Sequence, residues 1–170
     1  MKRLAALILT VALALTGVSA LAEEFNVYLI TMDLMDQHWV NVDAGAKAAV
    51  EELAKEGVTI KYTWDAPTQG KSDSAQIESI NNAYANNAQA ILLASNGPDT
   101  QVATIEQYQA EGVKFIYVDS PANTEAFQTL ATDNREAGRL AGVTMLDKLT
   151  ADGVTEGKIG IVNVNSSTTS

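Results

Sequence analysis

The sequence contains no cysteine and only one histidine, His38. Without cysteine there is no disulfide framework, no thiolate metal site, no cysteine nucleophile and no attachment point for a lipid anchor. A single histidine is too few for a histidine-rich metal site. The G-x-S-x-G, G-x-G-x-x-G, P-loop and H-E-x-x-H motifs are also missing, so the sequence predicts no cofactor and no enzyme.

Basic residues are scarce, with 11 Lys and Arg against 21 Asp and Glu and a formal net charge of −10. Nucleic-acid phosphates require a basic surface, so we expect no nucleic acid among the partners. The acidity mainly favours solubility, and we expect a monomer.

Residues 1–22 have the pattern of a secretory signal peptide. Two basic residues at positions 2 and 3 precede the apolar run Leu4–Val18, and a small-x-small site ends at Ala22. The run is short for a membrane span, which needs about 20 residues. We therefore expect export, cleavage after Ala22 and a location in the periplasm.

After the leader, short apolar runs alternate with amphipathic segments. The amphipathic segments predict helices, the first over Val40–Glu56, with Ser74 capping the second and Asp99 or Thr100 capping the third. The alternation favours right-handed βαβ units, hence an α/β fold with a parallel sheet and helices on both faces. The predicted strands are Phe25–Thr31, Val58–Trp64, Ala90–Ala94, Val113–Asp119 and Lys158–Val164.

The pattern changes after Asp119. Phe127–Thr132 is extended with no helix before it, which indicates that the chain is leaving the first sheet near Ala131–Asp133. A fourth helix follows, with an apolar face of Ala137, Leu140, Ala141 and Met145. We therefore divide the chain into a signal peptide (1–22), a first α/β lobe (23–132) and the start of a second lobe (133–170). A core strand so near the last residue also leads us to expect a fragment of a longer protein.

The polar stretch Thr31–Trp39 directly follows the first predicted strand and contains Asp33, Asp36 and His38. In open α/β sheets, ligands bind beyond the carboxyl ends of the strands. Carboxylates can hydrogen-bond sugar hydroxyls, and an indole can pack on the C–H face of a sugar ring. The alternatives are that Asp36 caps the helix and that Trp39 is a core anchor.

Two further polar pairs stand at similar positions. Asp119 and Ser120 end a buried strand, where a ligand role or a cap for the next turn are both consistent with the pattern. Asp133 and Asn134 open a helix, where capping is the commoner explanation. A magnesium site built from Asp33, Asp36 and Asp119 is a less favoured alternative, since such phosphoryl-transfer machinery does not suit an exported protein.

Five segments, in their order and spacing behind a signal peptide, resemble type I periplasmic solute-binding proteins of ABC importers, in the style of the ribose- and galactose-binding proteins. The segments are Tyr28–Asp33, His38–Ala46, Ala90–Ala94, Phe115–Asp119 and Ala131–Gly138. The resemblance implies two α/β lobes joined by a hinge, with a sugar held in the cleft between them. It also implies that this chain lacks the returning segment of the first lobe and, alone, binds sugar weakly or not at all.

The resemblance also assigns candidate ligand residues. The family's aromatic pair falls on His38 and Trp39, although His38 departs from the usual aromatic. One apparent extra residue in the first loop leaves the roles of Thr31 and Asp33 open. The family's arginine from the second lobe would lie beyond Ser170. The full candidate set is Thr31, Asp33, Asp36, His38, Trp39, Asp119, Ser120, Asp133 and Asn134.

The implied function is capture of a sugar in an interlobe cleft and its delivery to the permease of an ABC importer. The alternative is a periplasmic sugar or autoinducer sensor that presents its ligand to a chemoreceptor or sensor kinase. A sugar-sensing regulator would need a DNA-binding headpiece where this chain has a leader. An exported hydrolase using Asp33 and Asp36 is the remaining alternative.

Overall fold

The computed structural model describes residues 24–161, which form one five-stranded parallel sheet with helices on both faces. The strand order is β2-β1-β3-β4-β5. The first four strands lie within one residue of their predicted bounds, because continuous apolar runs identify strands covered on both faces. The strands are β1 (Glu24–Ile30), β2 (Thr59–Asp65), β3 (Ala90–Leu93), β4 (Lys114–Val118) and β5 (Gln128–Leu130).

Four helices join or follow these strands in the described part of the chain, and their first residues correct the predictions. The first helix begins at Gln37 rather than Val40, and Ser72 rather than Ser74 caps the second. The third begins after Gln101 without a side-chain cap, so neither Asp99 nor Thr100 has that role. The helices are α1 (Gln37–Lys55), α2 (Asp73–Ala85), α3 (Val102–Ala110) and α4 (Asn134–Ala151).

The main core lies on one face of the sheet, beneath α2 and α3. Residues paired in register share a face, and successive residues alternate between faces. Tyr28, Ile91 and Phe115 are paired in this way, and they form one buried cluster with Ile80 of α2 and Ile105 of α3. Burial of each large apolar side chain contributes about 1.5–3 kcal/mol, so this cluster fixes the positions of α2 and α3 on the sheet.

The opposite face carries α1. Tyr62 of β2 pairs with Val27 and therefore faces away from the Tyr28 side. Its hydroxyl donates to Asp43 of α1 at 2.9 Å, and Lys47 donates to the same carboxylate at 2.7 Å. Burial, and then the bond to Asp43, raise the pKa of Tyr62 above its usual range. This polar contact ties α1 to β2 and leaves the β3–β5 side of the face less covered.

The extended piece after Asp119 remains in the first sheet. Gln128–Leu130 pairs in parallel with Ile116–Val118, so β5 is the edge strand beside β4. The predicted crossing near Ala131–Asp133 lies after this strand, so the pairing of β5 with β4 is consistent with that prediction. The nine residues between β4 and β5 form no helix, as the sequence pattern predicts.

The predicted strand Lys158–Val164 is not formed over Lys158–Ile161, and its remaining residues lie outside those described. Ile159 and Ile161 are 65% and 90% exposed. A strand requires a neighbour for its backbone hydrogen bonds, and within residues 24–161 no neighbour pairs with this run. Among the same residues, no helix is both long and apolar enough to cross a membrane.

Candidate functional site

The strand order creates a topological switch point between β1 and β3. From β1 the chain moves to β2 on one side, and it then returns past β1 to β3 on the other side. At such a point the loops after the two strands diverge and leave a crevice at the carboxyl edge of the sheet. The loops after β1 and β3 border this crevice, and the loop after β4 lies next to it.

The loop after β1 is held by its own side chains. Thr31 is fully buried, and its hydroxyl donates to the Asp33 carbonyl at 2.9 Å while accepting from the Trp64 indole at 2.8 Å. Asp33 Oδ1 accepts from the backbone N–H groups of Met35 and Asp36 at 2.8 and 2.7 Å. Asp36 then caps α1 by accepting from the His38 N–H at 2.9 Å. The loop is therefore preformed by local bonds.

His38 and Trp39 belong to the first turn of α1 because the helix begins at Gln37. His38 is exposed and meets the Trp39 ring edge-on, with ring centroids 4.5 Å apart. Trp39 is only 3% exposed, and its Nε1 has no hydrogen-bond partner among residues 24–161. His38 is thus the accessible member of the pair, and its ring contacts the buried Trp39 ring.

Asp119 closes β4 in an unusual backbone conformation, with φ at +65°. Its N–H donates to the Leu130 carbonyl, and its Oδ2 accepts from the Ser120 hydroxyl at 2.9 Å. The Ser120 carbonyl accepts from the Ser95 N–H at 2.8 Å, which joins the loops after β3 and β4. Left-handed backbone is uncommon for a residue other than glycine and is frequent at functional sites.

Asp133 and Asn134 follow β5 at the same edge and are exposed. Asp133 caps α4 by accepting from the Glu136 N–H at 2.8 Å. Arg139 donates to both carboxylate oxygens of Glu136, which lowers the pKa of that carboxyl. Within the described residues, Asp33, Asp36 and Asp119 do not form a group that could hold a metal ion.

Sequence reasoning missed the loop after β2. With the loop after β1, it lines an open groove of about 630 Å³ in which Asp33 and Asp36 face Pro67, Thr68 and Lys71. Pro67 and Gly70 already identify this loop as a turn, so the same rule about strand ends would have placed it at the carboxyl edge of the sheet. The loops that follow β1, β2, β3 and β4 at this edge are called the ligand edge below.

Gln76 is a second residue that sequence reasoning missed. It is fully buried in α2, and its amide joins the ends of β1 and β3. The available signal was its spacing, because Gln76 stands four and seven residues before Ile80 and Ala83 on the buried stripe of the helix.

These observations define a class, an open parallel α/β domain with polar loops at the carboxyl edge of its sheet, next to the switch point. A family model described as a periplasmic binding protein domain matches residues 27–170. The chain therefore belongs to the periplasmic binding protein domain family, whose members are binding proteins of the periplasm. The resemblance to type I periplasmic solute-binding proteins is confirmed.

Solved structures show the same likeness. A solute-binding protein of Agrobacterium vitis with bound D-fucose is 27% identical to this chain, with a TM-score of 0.62. The match covers 73% of this chain and 43% of the Agrobacterium vitis chain. A sugar transporter of Clostridium phytofermentans is 26% identical, with a TM-score of 0.63, and the match covers 74% of this chain and 46% of that one. A sugar-binding protein of a Bacillus halodurans ABC transporter is 25% identical, with a TM-score of 0.64, and the match covers 75% of this chain and 42% of that one.

The chain spans less than half the length of these solved structures. A comparison with curated proteins found no match.

Proposed function

We propose that the full protein captures a sugar in the periplasm and delivers it to an ABC importer. The observation that carries this proposal is the placement of Asp36 and Asp119 in the loops that follow β1 and β4, on either side of the switch point. Carboxylates accept hydrogen bonds from hydroxyls and repel anions, which favours a neutral, hydroxyl-rich ligand. The structural relatives named above are sugar-binding or sugar-transport proteins, which supports the same class of ligand.

In this proposal His38 and Trp39 form the aromatic wall of the site. His38 is exposed and meets the ligand, while the buried Trp39 keeps the imidazole in place through their edge-on contact. Asp36 uses Oδ1 for the helix cap and offers its other carboxylate oxygen to a hydroxyl. Thr31 and Asp33 shape the loop, since their side chains bond to protein groups.

We also propose that the chain crosses into a second lobe near Ala131–Asp133 and that a later segment completes the first. Two observations support this division. Within residues 24–161, α4 buries none of its side chains, and Leu140 is 50% exposed. On the sheet face that carries α1, Ile116 and Val118 are half-buried and Leu130 is 51% exposed. Apolar surface of this kind is normally covered in the complete protein.

Binding between two lobes implies hinge closure, in which Asp133 and Asn134 lie close to the hinge. A closed, sugar-loaded form is the species that a permease would recognise. We propose an ABC permease as the membrane partner, a monomeric receptor and an N-terminal signal peptide cleaved after Ala22.

The deciding experiment is calorimetric titration of the full-length secreted protein with a panel of pentoses, hexoses and furanosyl compounds. We expect saturable binding of at least one sugar, and loss of that binding in Asp119→Ala. Asp147→Ala, which removes an exposed carboxylate late in α4, is the matched control and should bind normally. A folded wild-type protein that binds no sugar would refute the sugar assignment.

A further inference from the structure

The side chain of Gln76 is buried at the ligand edge, and both its amide nitrogen and its amide oxygen form hydrogen bonds. Nε2 donates to the Thr31 and Ala94 carbonyls, each at 2.9 Å. Oε1 accepts from the Asn96 N–H at 2.8 Å and from the Gln101 side chain. An amide offers two donors and two acceptor positions, so the hydrogen-bonding capacity of Gln76 is fully used.

The groups that Gln76 contacts are the ends of the two strands at the switch point. The ladder between β1 and β3 reaches its end where the Ala94 N–H donates to the Ile30 carbonyl at 2.9 Å. Beyond this bond the two strands diverge, and a buried carbonyl without a partner costs about 1–3 kcal/mol. Gln76 supplies those partners, and it bridges the crevice where the two loops separate.

The same helix holds the loop after β3 at a second point. Asp73, one turn before Gln76, accepts from the Asn96 side chain at 2.6 Å and from the Thr100 hydroxyl at 3.0 Å. Gly97 lies so close to Asp73 that an added Cβ would stand 2.3 Å from its carboxylate oxygen. The loop over Ser95–Thr100 is therefore fixed to α2.

We infer that Gln76 is a positioning residue for the ligand edge. By bonding the Thr31 carbonyl and the Asn96 N–H at once, it sets the distance between the loops after β1 and β3. Thr31 in turn holds Asp33 and Trp64, so the position of the first loop follows from the same amide. Preorganised loops bind a ligand more tightly because less ordering is required on binding. The effect on sugar affinity rests on the proposed function, whereas the effect on loop position does not.

The test compares Gln76→Met with Gln89→Met in the full-length protein. Methionine keeps the length and volume of glutamine but cannot replace its hydrogen bonds. Gln89 is a control at the opposite edge of the same sheet, where its side chain is exposed and its Oε1 accepts from the Asn26 N–H of β1 at 2.6 Å. Gln76→Asn keeps the amide but shortens its reach, and it replaces Gln76→Met if that variant does not fold.

Three quantities are measured below the unfolding temperature of each variant: sugar affinity, hydrogen exchange of the Asn96 amide and the emission of Trp64. For the Gln76 variant we expect about a tenfold loss of affinity, about tenfold faster Asn96 exchange and a shift in Trp64 emission. Gln89→Met should lose stability but keep all three quantities near the wild-type values.

Wild-type sugar affinity together with a protected Asn96 amide in the Gln76 variant would overturn the inference and leave Gln76 with a role in stability only. Equal losses of affinity in the Gln76 and Gln89 variants would overturn it as well. If the wild-type protein binds no sugar, the proposed function fails by itself. In that case Asn96 exchange and Trp64 emission still decide whether Gln76 positions the two loops.

Discussion

At the scale of single residues, Asp36 has two separable roles, as the cap of α1 and as a proposed ligand for hydroxyls. Asp36→Ala removes both, so we expect a loss of about 1 kcal/mol in the free energy of unfolding together with weaker sugar binding. Asp36→Ser retains a capping oxygen without the carboxylate and should unfold like the wild type while binding sugar less tightly. Urea denaturation and calorimetry measure the two effects, and normal sugar binding by Asp36→Ser would restrict Asp36 to capping.

The backbone conformation of Asp119 allows its effect on stability to be separated from its proposed role in sugar binding. Its φ of +65° is strained for residues with a Cβ, by roughly 1–2 kcal/mol for a residue such as alanine, and is free of strain for glycine. We expect Asp119→Gly to be more stable than Asp119→Ala by about 1 kcal/mol. Both should lose sugar binding because both lack the carboxylate. Equal stability of the two variants, measured by urea denaturation, would contradict the strain argument.

At the scale of helices and loops, two glycines are expected to respond in opposite directions to the same change. A Cβ at Gly97 would stand 2.2 Å from Thr100 Oγ1, so Gly97→Ala should break the Asp73–Thr100 bond and cost about 1–3 kcal/mol. Gly45 lies within α1 with nothing within 4 Å of its added Cβ, and Gly45→Ala should stabilise by about 0.5–1 kcal/mol. Thermal unfolding of both variants checks the pair, and a shift of the same sign in both would contradict it.

The burial of Tyr117 in β4 predicts that the free energy of unfolding decreases at alkaline pH. Burial, and secondarily the charge of Glu106, raise the pKa of Tyr117 from 10.0 to about 12. The unfolded tyrosine therefore ionises first, and this contribution to stability is complete below pH 10 and falls between pH 10 and 12. Tyr117→Phe should flatten the pH dependence of the free energy of unfolding in that range. An unchanged slope in urea denaturation would show that Tyr117 does not ionise differently in the two states.

Tyr117→Phe also removes the bond from the Tyr117 hydroxyl to the Thr124 carbonyl, at 3.1 Å. A constant loss of about 1 kcal/mol at neutral pH is therefore expected and is separate from the slope. Tyr62, whose pKa is raised for similar reasons, should add its own share to the alkaline loss.

At the scale of the whole molecule, a site between two lobes predicts that sugar makes the full-length protein both more stable and more compact. At a sugar concentration of 100 times Kd, linkage gives a stabilisation of about 2.7 kcal/mol. Hinge closure should also reduce the radius of gyration measured by small-angle X-ray scattering. Asp119→Ala should show neither change at the same sugar concentration. Stabilisation without compaction would place the sugar on one lobe only.

Sequence reasoning located four strands within one residue and placed Asp36 and Asp119 in the loops that follow strands, because apolar runs and polar boundaries are local features. The spacing of Gln76 could have shown that it is buried but not what it bonds, since the partners of its amide, Thr31 and Ala94, are 45 and 18 residues away along the chain. Sequence reasoning also could not establish that Trp39 is buried beside an exposed His38.

The sequence by itself determined the α/β class and the candidate residues of the ligand edge. These depend on periodicity and on neighbouring residues in the chain. Only the tertiary structure decided the strand order with its switch point, the place of β5 at the sheet edge and the absence of a strand over Lys158–Ile161. The physical reason is that a strand or a buried amide is stabilised by hydrogen bonds to distant groups, and their positions are set by packing of the whole sheet.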